Sequence, residues 1–208
     1  MRGLFITFEG GEGAGKSTQV ARLAETLRAS GREVVTTREP GGSPGADQIR
    51  ALLVQGEASR WDPIAETLLV YAARRDHLRR TVWPALDRGA IVICDRFIDS
   101  TMAYQGFGRG VGPELVDRVR QVAIGDFQPD LTLVLDLAVE AGLTRALSRG
   151  GAETRFESFD ADFHQRVRDG FLQIAAREPR CVVIDANASV EAVASRIQQV
   201  VRERLAAL

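Results

Sequence analysis

The sequence predicts an α/β fold, a doubly wound five-stranded parallel sheet with helices flanking both faces. Three observations predict it. Five short β-branched runs alternate with longer segments of helical period. Four of those runs are almost continuously apolar, as strands are when both faces of a parallel sheet are covered. The connections between runs are long enough for right-handed crossovers.

Taken in order, the strands are "LFITF" (4–8), "EVVTT" (33–37), "AIVICD" (90–95), "LTLVLDL" (131–137) and "CVVID" (181–185). In the first helix Val20, Leu23, Ala24 and Leu27 recur on one face, and Gly31 stops it. A long helix opens at "DPIAE", with Asp62 as N-cap and Pro63 at its first position. Pro84 must break or kink that helix toward its far end. Further helices are expected from Pro113 to Gly125, over 139–149 and 160–177, and from Ser189 to the end. Three stretches read as loops: "REPGGSPG" (38–45), "GFGRGVG" (106–112) and "SRGGAETR" (148–155). With no repeat, linker or low-complexity tract, residues 1–208 are expected to form one domain.

Composition narrows the class. A chain of 208 residues, 45% hydrophobic and 26% charged, suits one globular domain. A net charge of −1 gives no global attraction to nucleic acid or to an acidic membrane, so anion binding must be local. Neither a secretory leader nor a membrane-length apolar run is seen, and a cytoplasmic location is expected. Cys94 and Cys181 lie inside apolar runs, as reduced buried thiols do. His77 and His164 lie on polar helical stretches and are expected at the solvated surface.

Between the first strand and first helix, Gly10-Gly11-Glu12-Gly13-Ala14-Gly15-Lys16-Ser17 fits G-x-x-x-x-G-K-[ST]. Strand before and helix after are the context that pattern needs. Glycines let the backbone N–H groups and the helix N-terminus converge on phosphate oxygens. Lys16, the only lysine among 27 basic residues, supplies a compact charge where an arginine fork would not thread. Ser17 offers a hydroxyl to Mg²⁺, and Thr18 completes the ATP-binding run. The fold is thus expected to be of the P-loop NTPase type. A dinucleotide fingerprint fails, because Lys16 occupies its third glycine position.

Guanine recognition by Asn-Lys-x-Asp is excluded, since the single lysine is used and the single asparagine is Asn187. Transport and motor ATPases need coupling elements for which the chain has no room. A small kinase remains. Transfer between phosphates needs positioning and positive charge rather than a strong base, and arginines (Arg38, Arg109, Arg149, Arg155) sit in the loop-like stretches. "ICDRF" (93–97) ends a strand at Asp95, a candidate Mg²⁺ ligand, followed by Arg96, which can reach a phosphate. Asp136 ends the fourth strand in the same way and is the other candidate.

These residues resemble the thymidylate kinases along the whole chain. The motifs are "EGGEGAGKST" (9–18), "TREPGG" (37–42), "YAAR" (71–74), "DRF" (95–97), "STMAYQGFGRG" (100–110), "PDLTLVLDL" (129–137) and "RGGAETRFE" (149–157). The resemblance implies transfer of the ATP γ-phosphate to dTMP, a small lid at about 148–157, and a homodimer. It implies Arg38 and Arg96 at the dTMP phosphate, Arg74, Thr101 and Gln105 at thymine, Tyr104 against the sugar 2′ position, and Glu39 in the same substrate loop. Glu12 would face the acceptor sugar near its 3′-hydroxyl. Some members carry arginine where this chain has Gly13, so the resemblance implies that a lid arginine, Arg155 with Arg149, closes over the γ-phosphate. Where many members stack an aromatic ring on thymine, this chain has Val70, with Tyr71 beside it. Another nucleoside monophosphate or deoxynucleoside kinase, or an ATPase without an acceptor, are the rival readings.

Overall fold

The computed structural model describes residues 2–149 and 155–206, apart from the side chain of Arg149. Five strands, β1 (Phe5–Glu9), β2 (Val34–Arg38), β3 (Ile91–Asp95), β4 (Leu131–Asp136) and β5 (Cys181–Asp185), form one parallel sheet in the order β2-β3-β1-β4-β5. Alternation of side chains across the pleat divides the core. Ile6, Phe8, Ile93 and Leu133 face one way, against Leu23 and Leu27 of α1 (Lys16–Ala29) and Ile197 and Val201 of α9 (Val190–Ala206). Phe5, Val92 and Cys94 face the other, against Leu78, Val82, Leu86 and Phe97. Both cysteines are free thiols.

The N-cap of α3 (Pro63–His77) is Asp62, whose carboxylate accepts from the N–H groups of Ile64 and Ala65. Pro84 acts one turn earlier than a simple break. Leu78–Val82 runs as a π-turn, with Trp83 N–H donating to Leu78 O, before α4 (Trp83–Asp87). A ring without an N–H disrupts the ladder, and the chain absorbs this by widening a turn.

Two helices lie where loops or nothing were expected. α2 (Pro44–Val54) grows out of "GGSPG", with Pro44 at its first turn and Leu53 and Val54 buried. After β3, α5 (Ile98–Thr101) runs into a π-helical stretch, Met102–Gly108, that takes in the first half of the expected 106–112 loop. The remaining helices, α6 (Pro113–Ile124), α7 (Val139–Arg149) and α8 (Ala161–Arg177), fall where the periodicity placed them. Parallel pairing brings the C-terminal ends of β1, β2 and β3 together, with Phe8 and Arg38 both in register with Asp95. Open α/β sheets bind ligands at that edge.

Candidate active site

The chain leaves β1 at Glu9 and turns through Gly10–Gly15 into α1, which begins at Lys16. Gly13 has φ +67°, and a Cβ there would lie 2.0 Å from Gly142 O; a Cβ on Gly142 would lie 2.4 Å from Glu12 O. The loop and α7 therefore touch backbone to backbone. This is a steric reason for Gly13, independent of any charge the resemblance finds missing there. Lys16 Nζ, largely buried, donates to Gly10 O at 3.0 Å and Gly11 O at 2.8 Å. Burial first, and Arg96 next, push its ammonium down to about 8, against the pull of Asp95, Glu12 and Glu9.

Ser17 Oγ donates to Asp95 Oδ2 at 2.6 Å, so the loop hydroxyl and the β3 carboxylate converge. Asp136 is taken instead by Arg168, whose Nε and Nη2 hold both its oxygens at 2.7 and 3.0 Å. The two strand-end aspartates thus part ways, Asp95 toward the loop and Asp136 into a bidentate ion pair.

Arg96 is the junction. It is a non-glycine residue at φ +70°, and its N–H donates to Phe8 O at 2.8 Å. A left-handed arginine costs on the order of 1 kcal/mol, and here that turn aims the side chain back across the loop. Its Nη1 reaches Gly10 O and Ser100 Oγ, both at 3.2 Å, and its Nη2 reaches Glu12 Oε1 at 2.8 Å. The guanidinium lies 4.9 Å over the Tyr104 ring, and Tyr104 Oη donates to the same Glu12 oxygen at 2.9 Å. Burial works to raise Glu12, but Arg96 and then Lys16 overcome it and hold the carboxyl down at about 2. Beneath them Glu9 accepts from Phe97 N–H and Ser100 Oγ. Burial, with Asp99 adding repulsion, pushes it up to about 7.

A cavity of about 590 Å³ joins this cluster to a second one. Its wall includes residues 12–17 of the loop and Asp95, and all of Glu12, Arg38, Glu39, Arg74, Arg96, Thr101, Tyr104 and Gln105. Of the expected ATP-binding run, Gly10, Gly11 and Thr18 stand outside the wall; the first two contribute the carbonyls that hold Lys16. Arg38 is exposed at the mouth, 3.7 Å from Asp47. Arg74 is buried between the rings of Tyr71 and Phe97, 4.8 and 5.0 Å from their centres. Its Nε donates to Glu39 Oε2 at 2.6 Å, and its Nη2 to Phe97 O and Thr101 Oγ1 at 2.9 and 3.0 Å. Its Nη1 is buried without a partner. Val70 lines the cavity, while Tyr71 turns inward beneath the guanidinium.

One expectation is corrected, and one expected site residue stands away from the phosphate loop. Neither histidine is at the surface: His77 is 0% exposed and His164 5%. His77 bridges Glu39 Oε1, 2.8 Å from its Nδ1, and Thr37 Oγ1, 2.7 Å from its Nε2. It is polar because it carries the second layer of the Glu39–Arg74 pair, not because it meets solvent. Arg155 is not over the phosphate loop. It is 1% exposed and bound to the carbonyls of Leu53, Glu57 and Ala58 and to the Glu66 carboxylate. In this arrangement its donors are engaged by the end of α2 and the turn that follows it. The side chain of Arg149 and residues 150–154, most of the expected lid, lie outside the described residues.

Sequence reasoning missed Glu9, Arg50, Glu66 and Ser100, and left open whether Val70 or Tyr71 meets the base. Arg50, whose Nη1 donates to Pro40 O at 2.7 Å, belongs to the unforeseen α2. Glu66, Val70 and Arg74 are spaced by four on α3, so their common face was legible had the polar members been counted as buried.

Comparison with known proteins agrees with the geometry. A family model described as thymidylate kinase matches residues 8–197. The chain is 58% identical over 205 residues to a thymidylate kinase of Caulobacter vibrioides, covering 98% of both chains. It is 52% identical over 204 residues to one of Ruegeria pomeroyi, covering 98% of this chain and 96% of that one. A crystal structure of thymidylate kinase from Ehrlichia chaffeensis matches with a TM-score of 0.77 and 37% identity, over 97% of this chain and 99% of that chain.

Proposed function

The chain belongs to the thymidylate kinase family, and on that premise we propose how its cavity divides the work of the reaction. It is a phosphotransferase that phosphorylates dTMP to dTDP at the expense of ATP. The observation that carries the assignment of roles is the single cavity in which residues 12–17 and the Arg74–Glu39 cluster share a wall, with Arg96 at the seam. Donor and acceptor phosphates would meet there in line.

Lys16 and Arg96 neutralise the transferring phosphoryl, exchanging loop carbonyls for phosphate oxygens. No general base is needed, because the acceptor phosphate is already a nucleophile. Arg38 and Arg96 hold the dTMP phosphate. Glu12 keeps its charge and has one oxygen engaged by Arg96 and Tyr104, so the other serves a sugar hydroxyl. Tyr104 crowds the sugar, and Arg74, Thr101 and Gln105 meet the base. Ser17 and Asp95 would hold Mg²⁺; both offer oxygen, the donor type that ion takes. The chemistry supplied there would be neutralisation of phosphate charge.

The chain is read as one domain, with a lid at about 148–157, working as a cytoplasmic homodimer. Exposed Leu52, Ile64, Leu68 and Val122 on α3 and on α2 and α6, which both pack against it, support the dimer; a monomer mass in sedimentation equilibrium at micromolar enzyme would overturn it. No described helix is long and apolar enough to cross a membrane. The reaction is tested by measuring ADP formation from ATP with dTMP, dUMP, UMP, CMP or thymidine. dTMP should be the preferred acceptor, with little ADP formed in the absence of one. Rapid hydrolysis without an acceptor, or preference for thymidine, would sink the assignment.

A further inference from the structure

Two buried ion pairs flank the base end of the cavity. Glu39–Arg74 faces it; Glu66–Arg155 does not line it, and the reaction as described gives that pair no task. Glu66 is 0% exposed. Its Oε2 accepts from Arg155 Nη2, and Arg109 Nε lies 3.7 Å from its Oε1. Arg155 is in turn held by three carbonyls, with Nε to Glu57 O at 3.0 Å, Nη1 to Leu53 O at 3.1 Å and Nη2 to Ala58 O at 2.9 Å. A guanidinium only donates and a carbonyl only accepts, so this clamp has one arrangement.

The remaining contact of Glu66 leads to the cavity. Its Oε1 accepts from Gln105 Nε2 at 2.9 Å. A carboxylate between two cations offers acceptors only, so the Gln105 carboxamide must turn its NH₂ toward Glu66. The carbonyl oxygen, Oε1, is then the end left to the cavity that Gln105 lines. Across the same space stands Arg74, with its buried, unpartnered Nη1–H. The site thus presents a donor beside an acceptor. A pyrimidine with a 4-oxo group and an N3–H presents the complement, whereas a 4-amino pyrimidine presents an amino donor and a bare N3.

We propose that Glu66, clamped by Arg155, is a specificity-determining positioning residue that fixes the Gln105 carboxamide so that the site admits 4-oxo pyrimidine monophosphates and rejects 4-amino ones. The inference rests on the reading of this cavity as the dTMP site. Leaving polar groups mispaired in a buried site is what allows discrimination well beyond that of shape alone.

The test is the ratio of kcat/KM for dTMP to that for dCMP, measured with ATP on the full chain. Glu66→Gln replaces the acceptor-only group with one that also donates, which frees Gln105 to turn. The ratio should fall at least tenfold. Because that variant leaves Arg155 buried and unneutralised, Glu66→Gln/Arg155→Met is made beside it as a neutral version, and it should show the same fall. A smaller fall in whichever variant folds, with both substrates losing activity alike, marks Glu66 as merely structural and overturns the proposal. A wild-type chain inactive on dTMP sinks the reading of the cavity and this inference with it.

Discussion

The two ends of the cavity are built on opposite plans. At the phosphate end Lys16 rests on two backbone carbonyls, and Arg96 on a carbonyl, a hydroxyl and one oxygen of Glu12. These contacts are individually modest and interchangeable with phosphate oxygens. At the base end Arg74, Glu39 and His77 are sealed against one another, as are Glu66 and Arg155, all at most 4% exposed. The first end is made to exchange partners. The second is made to keep them. Substitutions at the first end should therefore be felt in turnover and at the second in stability.

The sharpest separation is expected from Lys16→Met, which should lower kcat/KM by about 10³ or more while changing unfolding free energy by less than about 1 kcal/mol. Steady-state kinetics paired with urea denaturation measures both; a loss below tenfold would break the contrast. Next, Arg74→Met leaves the Glu39 carboxylate buried beside His77 with its guanidinium gone. Destabilisation of about 3–5 kcal/mol is expected in urea, as for other broken buried pairs. If stability were unchanged, the base end would be as replaceable as the phosphate end.

A smaller effect should appear at Glu9, under the seam. Its folded value of about 7 lies above the ordinary 4.5, so the folded chain keeps a proton that the unfolded chain releases. Its stabilising contribution is full below pH 4.5 and is lost as pH rises through 7. Glu9→Gln fixes the neutral form, so it should flatten the Tm–pH profile and stabilise the chain above pH 7 by on the order of 1–3 kcal/mol. Profiles of Tm from pH 5 to 8 that run parallel for the two proteins would contradict this.

The same contrast explains what could be read in the sequence. The phosphate end is nearly contiguous, and glycine spacing, a lysine and a strand-end aspartate carry its chemistry in their order along the chain. The strands were legible for a like reason, since burial on both faces demands unbroken apolar runs. The base end is assembled from Glu39 just after β2, from α3, from α5 and the π-helical stretch that follows it, and from Arg155, so no local pattern announces it. Polar residues on a helix were read as surface, which failed at His77, whose partners Thr37 and Glu39 are 40 and 38 residues away. The partners of Arg155 in this structure were not legible either, because a lid motif supplies an arginine without saying what that arginine faces. α2 was hidden by glycines and a proline that mark a loop as readily as the first turn of a helix.

The contact between Gly13 and Gly142 also limits the mutational routes open to this chain. Placing arginine at position 13 needs a backbone change and room that α7 now fills. Shifting α7 first would uncover the loop before any new charge had been gained. Each single step is worse than its starting point, so the two positions must move together. A mutational library confined to the loop would record Gly13 as immutable, and only one that also varied the helix across from it could find the other solution.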